Sequence, residues 1–362
     1  MMFAGGGTGG HLFPALAIAE EVKAINDRTE IMFVGTKNKI EARVVPEKGY
    51  TFVPIWISGF RRKLSFDNLL FPLKVVVALF QSMKCIRKFK PSVVVGTGGY
   101  VSGPVLYAAS LAGIPTLIQE QNSYPGATTR FLARRVNEVH LTFEQSRRYF
   151  ARQDNLFVTG NPTRGSLASA SRAEALRYFG FPENTRNVIL VLGGSLGARS
   201  INRAFMSNMP ALLSRDLRIL WQTGQEDFEA VQRSFGKSLP APVRIYPFID
   251  RMDYAYAAAD LVVCRAGATT IAELTALGKP AILVPYPFAA ADHQTENARS
   301  LAENGAAELV RDDEIRECLV EKIVPLFQGE RLQKMSESAR GLGKPGAARD
   351  LALRALHLAG VS

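Results

Sequence analysis

A chain of 362 residues with 47% hydrophobic content can bury a sizeable core, and its length favours two domains over one. Its three cysteines, Cys85, Cys264 and Cys318, make neither a disulfide framework nor a zinc signature, which points to a reduced, cytosolic compartment. The net charge of +11 is uneven: residues 1–162 hold 20 Lys and Arg against 11 Asp and Glu, a net +9, and this asymmetry asks for an anionic partner, lipid or nucleic acid.

The first expected element is a clipped apolar strand, Met1 to Ala4, with no signal peptide ahead of it. It runs into Gly5-Gly6-Gly7-Thr8-Gly9-Gly10-His11 and then a helix-patterned stretch from Pro14. Glycines let backbone N–H groups approach an anion at a helix N-terminus, where the dipole favours negative charge, so a phosphate-bearing ligand is one reading. A plain tight turn is the other. Gly5-x-Gly7-x-x-Gly10 also fits the dinucleotide fingerprint, but the next strand, Ile31 to Val34, ends in Gly35-Thr36-Lys37 without the ribose-binding acid, which weakens a nicotinamide-dependent oxidoreductase. His11, where loop meets helix, either takes a proton from a hydroxyl nucleophile or hydrogen-bonds its own loop.

Strands are expected at 30–34, 50–56, 92–95, 116–119, 138–142 and 156–159, with helices between most of them, the rhythm of a parallel sheet covered on both faces. Between the second and third of these, residues 61–90 hold Arg61, Arg62, Lys63, Lys74, Lys84, Arg87, Lys88 and Lys90 against Asp67 alone. Phe66, Leu69, Leu73, Val76, Phe80 and Met83 recur there at helical spacing. That stripe reads either as a core face or as a basic amphipathic helix for an anionic membrane surface, and the surplus charge favours the membrane. The apolar stretch from Leu69 to Phe80 falls short of the roughly 20 residues that span a bilayer. Aromatic stacking residues and nucleic-acid reading motifs are missing, so no nucleic-acid partner is expected.

A second glycine turn, Gly96 to Pro104, is expected after the strand ending at Val95. The pattern restarts at 187–192, so two Rossmann-like domains are joined near residues 161–168, with ligands at the carboxyl ends of the strands, in an interdomain cleft. The later strands are 218–222, 243–248, 261–264 and 281–285. Gly193-Gly194-Ser195-Leu196-Gly197 forms a third glycine turn, and Cys264 to Leu274 is the densest stretch. There Ala268, Thr269 and Thr270 occupy a helix N-terminus suited to a diphosphate, and Glu273 either accepts from ribose hydroxyls or closes a capping box. Asp292 to Asn297 is a polar loop, and residues 347–358 form a C-terminal helix. The four histidines, His11, His140, His293 and His357, show no metal-ligand spacing, and no Asp-x-Asp or Walker A pattern occurs, so neither a metal nor ATP hydrolysis is expected.

In this order Gly6-Gly-Thr-Gly-Gly-His11, Gly98-Gly-Tyr-Val-Ser-Gly-Pro104, Glu120-Gln121-Asn122, Gly160-Asn-Pro-Thr-Arg164, Gly193-Gly-Ser-Leu-Gly197, Phe248-Ile249-Asp250 and Arg265-Ala-Gly-Ala-Thr-Thr-Ile-Ala-Glu273 resemble, over essentially the whole chain, the MurG family of bacterial peptidoglycan glycosyltransferases. The resemblance implies two Rossmann-like domains of the glycosyltransferase B type. Residues 1–162 would bind the acceptor and the membrane, 163–345 the UDP-sugar donor, and 346–362 would be a C-terminal helix. It implies inverting, metal-independent transfer of N-acetylglucosamine from UDP-N-acetylglucosamine to the muramoyl 4-hydroxyl of undecaprenyl-linked lipid I, giving lipid II, at the cytoplasmic face of the membrane. The alternative is a related UDP-sugar transferase acting on another lipid. Carried over by motif, Thr8, Gly9, Gly10, Asn122, Arg164 and Ser195 contact the donor, and Ile249 meets the uracil. Ala268, Thr269 and Thr270 take the diphosphate, Glu273 the ribose, and Gln294 with Asn297 the sugar. His11 serves as base, with His293 as a rival.

Overall fold

Strands that are apolar along both faces need helices above and below them, and both halves of the chain meet that need in the same way. The computed structural model describes residues 1–59, 70–163, 165–194, 197–236, 238–289 and 292–361. One unit comprises residues 1–164 and 344–362, the other residues 165–343.

In the first unit seven parallel strands, β1 (Met2–Gly5), β2 (Met32–Gly35), β3 (Thr51–Pro54), β4 (Val94–Gly98), β5 (Thr116–Glu120), β6 (Glu138–Leu141) and β7 (Leu156–Val158), lie in the order β3-β2-β1-β4-β5-β6-β7. Helices α1 (Gly9–Ile25), α2 (Ile40–Glu47), α3 (Phe71–Phe89), α4 (Gly99–Leu111) and α5 (Ala127–Leu132) cover it. The opening strand is short, yet it lies inside the sheet between β2 and β4 with all four residues buried, Phe3 paired with Phe33 on one side and Val95 on the other.

The second unit begins with α6 (Arg172–Tyr178) and builds a six-stranded parallel sheet in the order β10-β9-β8-β11-β12-β13. Its strands are β8 (Val188–Leu192), β9 (Arg218–Gln222), β10 (Val243–Tyr246), β11 (Leu261–Cys264), β12 (Ala281–Leu283) and β13 (Ala307–Leu309). Helices α7 (Arg199–Leu213), α8 (Phe228–Arg233), α9 (Met252–Ala258), α10 (Ala268–Leu277), α11 (His293–Ala302), α12 (Ile315–Ile323) and α13 (Arg331–Leu342) surround it. The last helix, α14 (Ala347–Leu358), belongs to the first unit: Leu351, Ala352, Ala355 and Leu356 are buried with Leu12, Leu16 and Ile18 of α1.

Two elements differ from the sequence reading. β4 does not stop at Val95 but runs through Gly96-Thr97-Gly98, and α4 starts at once, so there is no second glycine turn of the expected kind. Gly96 keeps its place in the ladder opposite Ile118, and a Cβ there would stand 2.2 Å from Leu106 Cδ1, so this glycine serves helix-to-sheet contact. The edge strand β13 has no expected counterpart, because three residues, Ala307-Glu308-Leu309, show no readable alternation.

Candidate functional site

Ligands of doubly wound sheets bind beyond the carboxyl ends of strands where the strand order reverses. The reversal falls between β1 and β4 in the first sheet and between β8 and β11 in the second. Glycine-rich stretches singled out in the sequence follow β1, β8 and β11, while the one at β4 forms the last residues of the strand itself and the start of α4.

After β1, Gly7 takes a left-handed conformation with φ of 88°, and its N–H donates to Glu41 Oε2 at 3.1 Å. Glu41 is only 1% exposed, and its other oxygen accepts from the Thr36 N–H at 3.0 Å and hydroxyl at 2.7 Å. One buried carboxylate thus ties the glycine loop to the turn after β2. Thr8 stands at the N-cap of α1 without a side-chain cap bond, and Thr8 and Gly10 are exposed, so this helix start is open. His11, half-buried, places Nδ1 near Thr97 O and Gln121 Oε1. Beyond β5, Glu120 accepts from the N–H groups of Asn122 and Gly126, each at 3.1 Å, which shapes the turn carrying half-buried Asn122.

In the second unit the glycines after β8 are sterically required. A Cβ on Gly193 would stand 2.1 Å from Ala198 N, and one on Gly197, whose φ is 84°, would stand 2.2 Å from Thr223 O. Gln222 bridges this loop to the next one, donating to Gly194 O at 3.0 Å and accepting the Ile249 N–H at 2.8 Å. After β11, Gly267 is the N-cap of α10, which puts Ala268, Thr269 and Thr270 in its first turn. Thr269 Oγ1 is shielded from solvent and has no hydrogen-bond partner among the described residues. An orphaned hydroxyl beside free helix N–H groups fits an anionic ligand there.

Glu273 lies beyond the first turn, and the N-cap glycine has no hydroxyl, so the capping-box alternative fails. Instead Glu273 accepts from the buried Tyr256 hydroxyl at 2.8 Å. Burial pushes the neighbouring Cys264 thiol up to about 12, so this sulfur stays protonated and is no nucleophile. Gln294 Oε1 accepts the Tyr286 N–H at 2.9 Å. Asn297, expected at the sugar, is 0% exposed and donates to Ala266 O at 3.3 Å, so it braces the loop from beneath rather than lining its surface. His293 is the first residue of α11. Arg164 and Ser195 lie outside the described residues.

Several residues with no expected role hold these loops in place. Arg265 donates to Val284 O and Pro285 O at 3.1 Å and to Ser200 Oγ at 3.0 Å, and pairs with Asp312, so one guanidinium ties together the ends of β11, β12 and β13 and the start of α7. Gln119, Gln121, Glu41, Gln222 and Tyr256 act in the same way. For Gln119 and Gln222 the signal in the sequence is polar character near the carboxyl end of an otherwise apolar strand, whereas Gln121 lies in the turn after β5 and Glu41 and Tyr256 sit on helices α2 and α9, where no such signal marks them.

On α3 the inward face is Lys74, Ala78, Ser82 and Ile86, whereas Leu73, Val76 and Phe80 face solvent, Phe80 at 74% exposed. The core reading of the stripe therefore fails for those three; Met83 does pack partly against the core, and Phe66 and Leu69 fall outside the described residues. Lys74 differs from its expected place on the basic surface. It is buried, donates to Ser58 Oγ at 3.0 Å and lies over the Trp56 ring. Among the described residues, no helix is long and apolar enough to cross a membrane.

Two Rossmann-like units, each with glycine-rich helix starts at its switch point, give the two-domain architecture found in glycosyltransferases of the B type. Residues 1–141 match the glycosyltransferase family 28 N-terminal domain, and residues 188–351 match the family 28 C-terminal domain. The chain is 47% identical to the UDP-N-acetylglucosamine–N-acetylmuramyl-(pentapeptide) pyrophosphoryl-undecaprenol N-acetylglucosamine transferase of Prosthecochloris aestuarii, over 100% of this chain and 99% of that one. It is 46% identical to the protein of the same name from Chlorobaculum tepidum, over 99% of each. The crystal structure of Acinetobacter baumannii MurG superposes with a TM-score of 0.76 at 32% identity, covering 98% of both chains. The chain belongs to the MurG family.

Proposed function

We propose that the protein transfers N-acetylglucosamine from UDP-N-acetylglucosamine to the muramoyl 4-hydroxyl of lipid I, forming lipid II for peptidoglycan synthesis. The observation that carries this reading is the α10 start, where open N–H groups and the orphaned Thr269 hydroxyl stand one turn before Glu273, in a chain related to the named transferases over its whole length.

In this reading the second unit holds the donor. Ala268, Thr269 and Thr270 take the diphosphate, whose departing charge the helix dipole stabilises. Glu273, held by Tyr256, accepts from the ribose. The Ile249 N–H is already given to Gln222, which leaves the Ile249 carbonyl to accept an N–H of the uracil. Gln294 reaches the sugar, with Asn297 supporting the loop below, and Thr8, Gly9, Gly10, Asn122, Arg164 and Ser195 complete the contacts. The first unit takes the acceptor. The reaction is one inverting displacement: the hydroxyl oxygen bonds to the anomeric carbon, the bond from that carbon to the diphosphate breaks with its electron pair leaving on UDP, and His11 receives the hydroxyl proton. No metal takes part.

Leu73, Val76 and Phe80, with exposed Trp56 and Leu70, enter an anionic membrane surface, and Lys84, Arg87 and Lys88 meet its headgroups. The protein is then peripheral at the cytoplasmic face, with no nucleic-acid partner.

The test is transfer of labelled N-acetylglucosamine from its UDP donor to lipid I in detergent with EDTA throughout. A lipid-linked disaccharide is the expected product. Donor binding with no such product overturns the acceptor, and product that disappears only with chelator overturns metal independence.

A further inference from the structure

His11 is the third residue of α1, and its ring lies against the end of β4, where glycine is the only residue that leaves room for it. A Cβ on Gly98 would stand 2.7 Å from His11 Nδ1 and one on Gly99 3.3 Å from Cδ2, and both glycines have positive φ, 97° and 77°. The ring nitrogen on that side, Nδ1, is 3.0 Å from Gln121 Oε1 and 3.1 Å from Thr97 O. Which of them accepts from which depends on the direction of the Gln121 amide, and an amide's direction is read from its neighbours.

Those neighbours leave one solution. The Gln121 amide nitrogen stands 2.6 Å from Thr97 O and 3.1 Å from Gln119 O, and it also bonds the side-chain oxygen of Gln119. Backbone carbonyls only accept, so the amide must present its NH₂ to them and its oxygen to His11. Gln119 is set in turn, because its own NH₂ points at Gly160 O, 3.3 Å away, and at Thr142 Oγ1, whose proton is committed to Glu120 O at 2.9 Å. Both glutamines are buried, Gln119 at 0% and Gln121 at 2% exposed, so water does not compete for these bonds. Nδ1 therefore meets two acceptors and must donate. The other ring nitrogen, Nε2, keeps its lone pair and has no partner among the described residues.

We propose that Gln121, aimed by Gln119, is a positioning residue that fixes His11 as the Nδ1–H tautomer and so makes Nε2 the atom that receives the acceptor hydroxyl's proton. Histidine side chains free in water favour the opposite tautomer, in which Nε2 carries the hydrogen and has no lone pair to accept another. As the hydroxyl oxygen bonds to the anomeric carbon and UDP leaves with the electron pair of the broken bond, the proton passes to Nε2 and the ring becomes imidazolium. Its Nδ1–H stays bonded to Gln121 Oε1 and Thr97 O, which stabilise the positive ring as the carboxylate does in a catalytic triad, here with neutral oxygens. The inference rests on His11 being the base.

The experiment is long-range ¹H–¹⁵N correlation on full-length protein labelled with ¹⁵N-histidine, recorded without substrates at a pH where the rings are neutral. The His11 signals are assigned by their loss in His11→Asn. The wild type should show a protonated Nδ1 and a bare Nε2; a protonated Nε2 overturns the proposal. The tautomer is read on the wild type, with His11→Asn serving only for assignment, and no lipid is needed, so the readout fails independently of the acceptor assignment. In Gln121→Met the His11 signals should move toward the mixture of free imidazole, and kcat should fall roughly 10- to 100-fold, the range commanded by outer partners of a functional histidine, with donor KM within about twofold. Unchanged tautomer and kcat in that variant assign the fixing to the Thr97 carbonyl alone and overturn the role of Gln121.

Discussion

In the proposed reaction His11 takes the hydroxyl proton and Glu273 binds the donor ribose, so their substitutions should separate in the kinetics. His11→Ala removes the proton acceptor and leaves the donor-binding unit intact; kcat should fall by roughly 10² to 10⁴ with donor KM little changed. Turnover within a few-fold of wild type dismisses the base. Tyr256→Phe deletes the hydroxyl that donates to Glu273 at 2.8 Å, and one hydrogen bond to a charged group is worth about 1.5–3 kcal/mol. Donor affinity measured by calorimetry should weaken roughly 10-fold or more, while kcat at saturating donor stays close to wild type. An unchanged donor affinity breaks the link between Glu273 and the ribose. The glycines and Thr269 are legible in sequence because their chemistry is local: a positive φ, a helix start, a short hydroxyl. Gln121 and Glu41 are not, since their partners lie 110 and 34 residues away and only the sheet order brings them together.

Two elements carry the next predictions. Gly197 sits with φ of 84° and its missing Cβ 2.2 Å from Thr223 O, so Gly197→Ala must move backbone rather than a pliable side chain. Denaturant unfolding should show a loss of about 2–4 kcal/mol, and a loss below about 0.5 kcal/mol rejects the steric argument. On α3 the predicted apolar stripe divides in an instructive way. Spacing alone placed Leu73, Val76, Phe80 and Met83 on one face, but the helix lies on Ala78, Ser82 and Ile86, and small residues at that seam let it approach the helix beneath. Helical period marks which residues share a face without saying whether that face meets protein or lipid. Phe80→Glu with Val76→Ser should therefore leave the thermal melt within about 1–2 °C, since both side chains already face water. Binding to vesicles containing anionic phospholipid should drop several-fold, and undiminished binding removes α3 from the membrane surface.

At the scale of the whole molecule, the two-unit division is legible because a strand feeding a glycine loop restarts at residue 187, but the return of the chain to its first unit is not. That return is a tertiary event: α14 buries Leu351 and Leu356 against α1 and sends Arg354 to Glu138 on β6. Glu138 is nearly buried and also accepts from His140 Nε2 at 2.9 Å, while His140 Nδ1 pairs with Thr159 Oγ1. Burial alone would raise the Glu138 carboxyl, but the hydrogen bonds and charges of His140 and Arg354 outweigh it and hold the group down at about 2, against 4.5 for a free side chain. A carboxylate depressed by folding contributes stability that is complete above its unfolded pKa and is lost as pH falls through its folded one. The window here runs from about 4.5 down to about 2, and the contribution is on the order of 3 kcal/mol. Glu138→Gln cannot ionise, so urea unfolding of wild type and variant at pH 6, 4 and 3 should show a stability gap that is widest at pH 6 and narrows as the medium becomes more acidic. Arg354→Ala should reproduce part of the same loss at pH 6, less than the carboxylate itself because the guanidinium is 42% exposed and His140 remains. A gap of constant size across that range means that Glu138 packs without its charge mattering, and that the apolar seam on α1 alone holds the C-terminal helix to its unit.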